Sequence, residues 1–262
     1  MELPLDRLIK QEVLYLGMLA TTVKTASAWY LVAPSRPDWG DANRALRLRD
    51  TGEGPEAAAR EVLSQLQCRG MRIIVDVDPI AESQGIGRVL RRMGLMPVEG
   101  RRLLMRYDHD KPPLLPERGI KVFPVTNETG QGEAKAWVDV VMSDEQDSHN
   151  APLWREVAER EAAYPPCRLY LACLDGRPVG ACDLFVAEGC GRIDSMVVRP
   201  EFRRRGVASA LVARAVADSL AADNTLTYLY TDGGGSGENV YRKLGFTTWK
   251  VNLMQRHLTD AD

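Results

Sequence analysis

The chain has 262 residues and a formal net charge of −2, with 34 Lys and Arg against 36 Asp and Glu. That length allows one large domain or two small ones with a buried core, and the bland charge balance shows neither the polybasic tail nor the basic face that nucleic acid would require. No apolar run reaches the length of a membrane span and Met1–Lys10 is too charged for a signal peptide; Cys68, Cys167, Cys173, Cys182 and Cys190 are odd in number and contain no C-x-x-C pair, so a reduced, cytoplasmic protein without disulfides or zinc is expected.

Leu5 to Leu19 can form a helix and Trp29 to Val32 a strand, followed by turn-rich punctuation from Pro34 to Gly40. Arg44 to Leu48 is another candidate strand. Pro55 then opens a helix at its favoured first position, with Ala59, Val62, Leu63 and Leu66 on one face. Arg72 to Val77 has the pattern of a buried strand, a short helix runs to Met93 with Gly94 as its stop, and Arg102 to Tyr107 reads as the last strand of this half. Lys111-Pro112-Pro113-Leu114-Leu115-Pro116 is a stiff, extended linker by composition. The expected division is a first domain over 1–110, a linker over 111–118, a second domain over 119–258 and a tail over 259–262.

In the second half, Ile120 to Val125 reads as a strand and Glu133 to Met142 as a helix with Ala136, Trp137, Val140 and Val141 inward. A polar loop from Ser143 to Asn150 precedes a helix carrying Leu153, Trp154, Val157 and Ala158; Trp137 and Trp154 are expected in the core. Arg168 to Leu174 and Pro178 to Val186, joined at Asp175-Gly176, make a hairpin in which Cys173 and Cys182 are small core residues. Ile193 to Val198 is a β-branched, half-alternating run that stops before Pro200. Arg203, Arg204 and Arg205 come next, then Gly206 and a helix with Ala208, Leu211, Val212, Ala215 and Val216 on one side. Three cations at a helix N-terminus oppose the macrodipole, and a bound anion would remove the conflict. Gly206 lets the backbone turn sharply so that successive N–H groups can face phosphate oxygens; a merely solvated arginine turn is the alternative. Tyr228 to Thr231 reads as the next strand, and a helix ends near Gly245 as its C′ cap.

The order Val198-x-Pro200-x-x-Arg203-x-x-Gly206-x-Ala208 resembles the pyrophosphate-binding motif of the GNAT superfamily of acyl-CoA N-acyltransferases. Tyr241-Arg242-Lys243-Leu244-Gly245-Phe246, at the expected distance beyond it, resembles that family's Tyr-x-Lys-x-Gly-Phe helix end, so the likeness covers roughly residues 119 to 258. It implies an α/β (α+β) GNAT fold: a central mixed, mostly antiparallel sheet flanked by helices, with a smaller, partial GNAT-like domain at the N-terminus. That first domain reads as a worn repeat, because Leu90-Arg91-Arg92-Met93-Gly94-Leu95 can be laid on Tyr241 to Phe246, and Leu104-Met105-Arg106 on Leu253-Met254-Gln255. A rival alignment matches Val77-Asp78-Pro79 and Gly85-Ile86-Gly87 to Val198-Arg199-Pro200 and Gly206-Val207-Ala208. It would create a second cofactor loop, but one with Glu82, Ser83 and Gln84 where the arginines stand.

The resemblance implies an N-acetyltransferase that moves an acetyl group from acetyl-CoA to a primary amine of a small molecule or peptide, by direct attack through a tetrahedral intermediate. It assigns coenzyme A to Met196, Val197 and Val198, whose backbone would hold the pantetheine arm and face the thioester oxygen, and to Arg203, Arg204, Arg205, Gly206, Val207, Ala208 and Ser209 around the pyrophosphate. Tyr241 would give the leaving thiolate its proton. The family's usual glutamate base is absent, since Arg192 stands in its place; Asp194, Asp183 and water are the substitutes. The helper asparagine is also missing, replaced by Gly233-Gly234-Gly235. Asp144, Glu145 and Asp147 could draw an amine towards the acceptor cleft, or form a solvated loop, and His149 reads as a surface residue. No metal, nucleic-acid or membrane partner is expected, and a homodimer is open. Two other readings stand beside the acetyltransferase: a non-catalytic acyl-CoA-binding regulator, favoured by the missing glutamate, and a mycothiol-synthase-like acyltransferase, favoured by the tandem layout.

Overall fold

The computed structural model describes residues 5–36, 39, 42–69, 74–77, 85–97, 102–108, 119–125, 131–145, 150–250 and 252–255. Its first half runs α1 (Leu5–Gly17), β1 (Thr21–Lys24), β2 (Trp29–Val32), β3 (Arg44–Leu48), α2 (Pro55–Gln67), β4 (Ile74–Val77), α3 (Ile86–Arg92), β5 (Met96–Pro97) and β6 (Arg102–Tyr107). The second half runs β7 (Ile120–Val125), α4 (Gln131–Val141), α5 (Ala151–Ala163), β8 (Cys167–Leu174), β9 (Arg177–Ala187), β10 (Cys190–Val198), α6 (Val207–Ala221), β11 (Leu226–Asp232), α7 (Ser236–Lys243), β12 (Phe246–Lys250) and β13 (Asn252–Gln255).

Two compact units emerge, and neither is a continuous stretch of chain. The C-terminal unit comprises Met1–Gln11 with Leu103–Trp249, the N-terminal unit Glu12–Arg102 with Lys250–Asp262. Strand β6, expected to close the first sheet, instead lies between β11 and β12 in the second, while β13 lies between β4 and β5 in the first. The reason is physical. Each sheet has an opening just inside its edge strand, β5 or β12, where a short strand satisfies its backbone groups on both sides. In β6, Leu103, Met105 and Tyr107 join the apolar cluster of Leu184, Ile193, Leu229 and Phe246.

The N-terminal unit orders its strands β1-β2-β3-β4-β13-β5, with β3 and β4 parallel and the pairs β1–β2 and β2–β3 antiparallel. Proline at its start sets α2, whose Ala59, Val62 and Leu66 pack with Val75, Val77, Ile86 and Leu90. The two-residue strand β5 and the four-residue β1 carried too little pattern to be expected.

The C-terminal unit orders its strands β12-β6-β11-β10-β9-β8-β7, antiparallel from β7 to β10 and parallel between β10 and β11, which α6 connects as a crossover. The β8–β9 turn places Asp175 at φ 50° and Gly176 at φ 78°, the two positive values that a two-residue type I′ hairpin needs. Helix α6 lies close on this sheet because two facing positions lack a side chain: a Cβ at Gly180 would come 2.6 Å from Val207 Cγ1, and one at Gly191 would strike Ser219 Oγ. On β9 Cys182 and Leu184 join the cluster that α6 covers, and the alternating Ala181, Asp183 and Phe185 face the other way. Trp137 of α4 is fully buried and donates Nε1–H to the Cys182 carbonyl at 2.9 Å, while Trp154 is only half-buried. Cys182 is buried as expected and Cys173 is half-buried. No helix among the described residues is long and apolar enough to cross a membrane.

Laid side by side, β3-α2-β4-α3-β5 repeats β10-α6-β11-α7-β12 in order and pairing, and β13 repeats the place of β6. Gly94 and Gly245, at φ 88° and 93°, close the matching helices α3 and α7. This correspondence supports the alignment of Leu90–Leu95 on Tyr241–Phe246 and overturns the rival one. The turn that matches 199–206 is Arg49–Gly54 before α2, not the segment before α3.

Candidate functional site

The feature that sets the C-terminal unit apart is a gap between two parallel strands. β10 and β11 pair from Cys190–Leu226 to Ile193–Leu229 and no further, although both strands continue. A shift in the β10–β9 register between Asp194 and Val197, with Ser195 at φ 49°, bends β10 at the point where it parts from β11. Met196, Val197 and Val198 are half-buried beyond this bulge, and their edge towards β11 has lost its strand partner.

At the end of β10 the chain makes a 3-10 turn over Pro200–Phe202, passes Arg204 at φ 63° and Gly206 at φ 78°, and enters α6. No side chain caps α6, and the backbone amides of residues 204–209 find no hydrogen-bond acceptor among the described residues. A row of free amides at the N-terminus of a 15-residue helix fits a phosphate group. Arg203 Nε donates to the Val198 carbonyl at 3.1 Å, and its terminal nitrogen pairs with Asp144. Arg205 sits 5.5 Å from the Phe202 ring centroid, and Arg204 is exposed. Asp144 is thus tied to the turn; Glu145 is half-buried, whereas Asp147 and His149 lie outside the described residues.

Tyr241 projects from α7 into the cluster of Met105, Ile193 and Leu229, is 8% exposed, and lies 6.0 Å from the Phe246 ring. Burial pushes its hydroxyl well above the ordinary phenol value, with Cys182 and Asp194 adding to the effect. The hydroxyl therefore keeps its proton until a strong base appears beside it.

The opposite face carries a polar cluster. Arg192 is 3% exposed; its Nε donates to Asp194 Oδ2 at 3.0 Å, a terminal nitrogen donates to the same oxygen, and its guanidinium lies 5.2 Å from the Tyr230 ring centroid. Asp194 Oδ1 accepts the Ser195 amide at 2.9 Å. Both oxygens of the expected substitute base are therefore engaged, one by a cation. Asp183, opposite Asp194 in the β9–β10 register, is completely buried; the Cys167 thiol is its hydrogen-bonding neighbour, and no N–H or O–H donor among the described residues reaches either oxygen. Burial drives its carboxyl far above the usual range; Glu161 and Asp194 push it further and Arg192 opposes them. Burial thus favours the protonated form of the Asp183 carboxyl.

Glu161 and Ser195 complete the cluster and were not foreseen from the sequence. The Ser195 hydroxyl, turned by its positive φ, donates to Glu161 Oε2 at 2.7 Å. One signal could have found Glu161: it follows Val157 by four residues and Ala158 by three, which puts a carboxylate on the apolar face of α5. The glycine run 233–235 leads into α7, where the Gly234 amide donates to Glu238 Oε2 at 2.7 Å.

The acetyltransferase (GNAT) family model matches residues 134–246. No curated protein sequence matches the chain. Among solved structures, a GCN5-related N-acetyltransferase from Kribbella flavida is 18% identical with a TM-score of 0.67, over 97% of this chain and 95% of the other. A tandem GNAT protein from the clavulanic acid biosynthesis pathway is 15% identical with a TM-score of 0.61, over 84% of this chain and 76% of the other. A GCN5-related N-acetyltransferase from Sphaerobacter thermophilus is 18% identical with a TM-score of 0.57, over 88% and 80%. At such identities the shared property is the fold, and the tandem arrangement is part of it.

Proposed function

We propose that this chain, whose residues 134–246 match the acetyltransferase (GNAT) family model, is an acyltransferase that moves an acetyl group from acetyl-CoA to a primary amine of a small molecule or peptide. The observation that carries this reading is the gap above residue 193, set directly before a turn whose amides are free. Residues 204–209 hold the pyrophosphate, aided by Arg203 to Arg205, and the unpaired edge of Met196–Val198 takes the pantetheine arm as an added strand would be taken. Bound there, acetyl-CoA supplies an activated thioester. Tyr241 holds a proton at its hydroxyl for the leaving sulfur, and burial keeps that proton in place until the thiolate forms.

A non-catalytic acyl-CoA-binding role is the second reading, supported by Arg192 and its ion pair with Asp194 at the place where the family commonly carries its base. Calorimetry with coenzyme A, followed by thiol release from acetyl-CoA across spermidine, tyramine, glucosamine and an amino-terminal peptide, separates the two. Binding with turnover on any amine supports the enzyme; binding with none supports the regulator. Absence of coenzyme A binding, or its persistence in Gly206→Val, sinks both.

A further inference from the structure

We propose that the N-terminal unit carries an anion site of its own, apart from the acyl-transfer cleft, where Arg88, Arg91 and Arg92 bind a phosphorylated small molecule. The inference does not depend on the acetyltransferase reading. An open cleft of about 580 Å3 lies between the start of α2 and α3, and all three arginines line it. A space of that order suits a small organic ligand. The cleft holds one carboxylate, Glu56, which accepts a terminal N–H of Arg92 at 2.9 Å. The side chains of Arg88 and Arg91 have no ion-pair partner among the described residues. Two guanidinium charges in the cleft are therefore unmatched.

An arginine-rich helix face is ordinarily just solvated, but the spacing here argues otherwise. Gly85, Arg88, Val89 and Arg92 recur at helical period, so they share the face of α3 that meets α2. Val89, 3% exposed, fixes that face by packing with Ala59 and Val62. Arg88 folds back over Gly85, where a Cβ would come 3.2 Å from its terminal nitrogen, and remains exposed to a ligand. The chemistry of the ligand follows from charge and shape. Guanidinium forks match phosphate oxygens, and a phosphoryl group near its second ionisation carries about two negative charges, enough to balance both free arginines. Pro55 and the arginine stems offer the rest of the molecule an apolar wall. The acyl-transfer layout is not repeated here: Asp50 takes the amides of Gly52 and Gly54, and β3 stays level with β4 as far as Leu48 and Val77. Side chains, not turn amides, hold this anion.

The test uses the full chain labelled with 15N-arginine, in which Arg88→Lys and Arg91→Lys assign the side-chain Nε–H signals. Inorganic pyrophosphate and ADP are titrated separately at physiological ionic strength. Both signals should shift saturably at millimolar probe. Arg88→Lys should weaken binding by about tenfold with thermal unfolding unchanged, because a point charge replaces a fork. Glu56→Gln should tighten it by about threefold, since an exposed ion pair that competes for Arg92 is weak. Tighter binding of ADP supports a nucleotide held against the apolar wall, and equal binding supports recognition of the phosphoryl group alone. Absence of a saturable shift, or its reproduction by sodium chloride of equal ionic strength, overturns the site. So does unchanged affinity in both lysine variants, which would mean diffuse attraction to exposed charges. A response confined to Arg203, Arg204 and Arg205 overturns this proposal and leaves the coenzyme A assignment standing.

Discussion

The two units repeat one layout and differ in what fills the turn between the third strand and its helix. In the C-terminal unit the amides of residues 204–209 are left without acceptors among the described residues. In the N-terminal unit the matching turn, Arg49–Gly54, is closed by its own carboxylate: Asp50 Oδ1 accepts the amides of Gly52 at 2.8 Å and Gly54 at 2.9 Å. The strands differ in the same sense. β10 abandons β11 at Ile193, whereas β3 is still level with β4 at its last residue, Leu48 opposite Val77, with a kink at Arg47 (φ 56°) and a buried Arg47–Asp76 ion pair at 3.8 Å. Leu90 stands where the other copy has Tyr241. The candidate site is thus a turn whose amides stay unsatisfied among the described residues, whereas the matching N-terminal turn satisfies two of its amides internally.

The strongest challenge to that contrast compares the matching positions on α3 and α7. Leu90→Ala should destabilise the protein by about 3 kcal/mol in chemical denaturation, as expected for a fully buried leucine, with coenzyme A affinity unchanged. Tyr241→Phe should do the opposite, keeping stability while lowering kcat for thiol release by about 100-fold. If Leu90→Ala instead weakened coenzyme A binding specifically, the assignment of roles to the two copies would fail.

The turns can be compared in the same way. Gly206→Val forces a β-branched residue into the left-handed region at φ 78°, at a cost of about 1–2 kcal/mol, and should weaken coenzyme A binding by about tenfold or more in calorimetry. Gly54→Val, at φ 94°, should lower stability and leave that affinity alone. Removing the internal acceptor with Asp50→Ala should cost about 1 kcal/mol of stability, close to the loss of a helix N-cap. An equal loss from mutating any neighbouring exposed side chain would show that the two amide bonds contribute nothing special.

The smallest effect is a dependence on pH. Asp183 has its carboxyl raised by folding, so its contribution to stability is complete below the ordinary carboxylate value near 3.8 and declines as pH rises towards the raised one. Asp183→Asn should therefore raise Tm at pH 8 and leave it nearly unchanged at pH 4. A gain that is equal at both values would mean that Asp183 is ionised in the folded protein.

Much of the site was legible in the residues. The Arg203-x-x-Gly206-x-Ala208 turn, the strand before it, the helix after it and Tyr241 beside Gly245 are local patterns, and local backbone preferences carried them into the structure. Other parts were not. Asp194 was readable as a carboxylate of the right strand parity, but its engagement by Arg192 depends on which rotamers pack under Tyr230. Asp183 was readable as a candidate base, yet burial, which the sequence does not show, favours its protonated form. Ser195 reaches Glu161 only because a bulge turns it, across a separation of 34 residues. The expected division at the proline-rich segment rested on composition, which cannot reveal that each sheet takes one strand from the other half of the chain.

Periodicity, glycine placement and motif spacing by themselves determined most of the helices and longer strands, the hairpin at Asp175-Gly176 and the helix that opens at Gly206, because each follows from interactions within a few residues. Only the tertiary structure decided which sheet receives β6 and β13, which turn keeps its amides free, and which carboxylates are buried. Those outcomes depend on pairing, burial and electrostatic neighbours brought together from distant parts of the chain, and no local pattern encodes them.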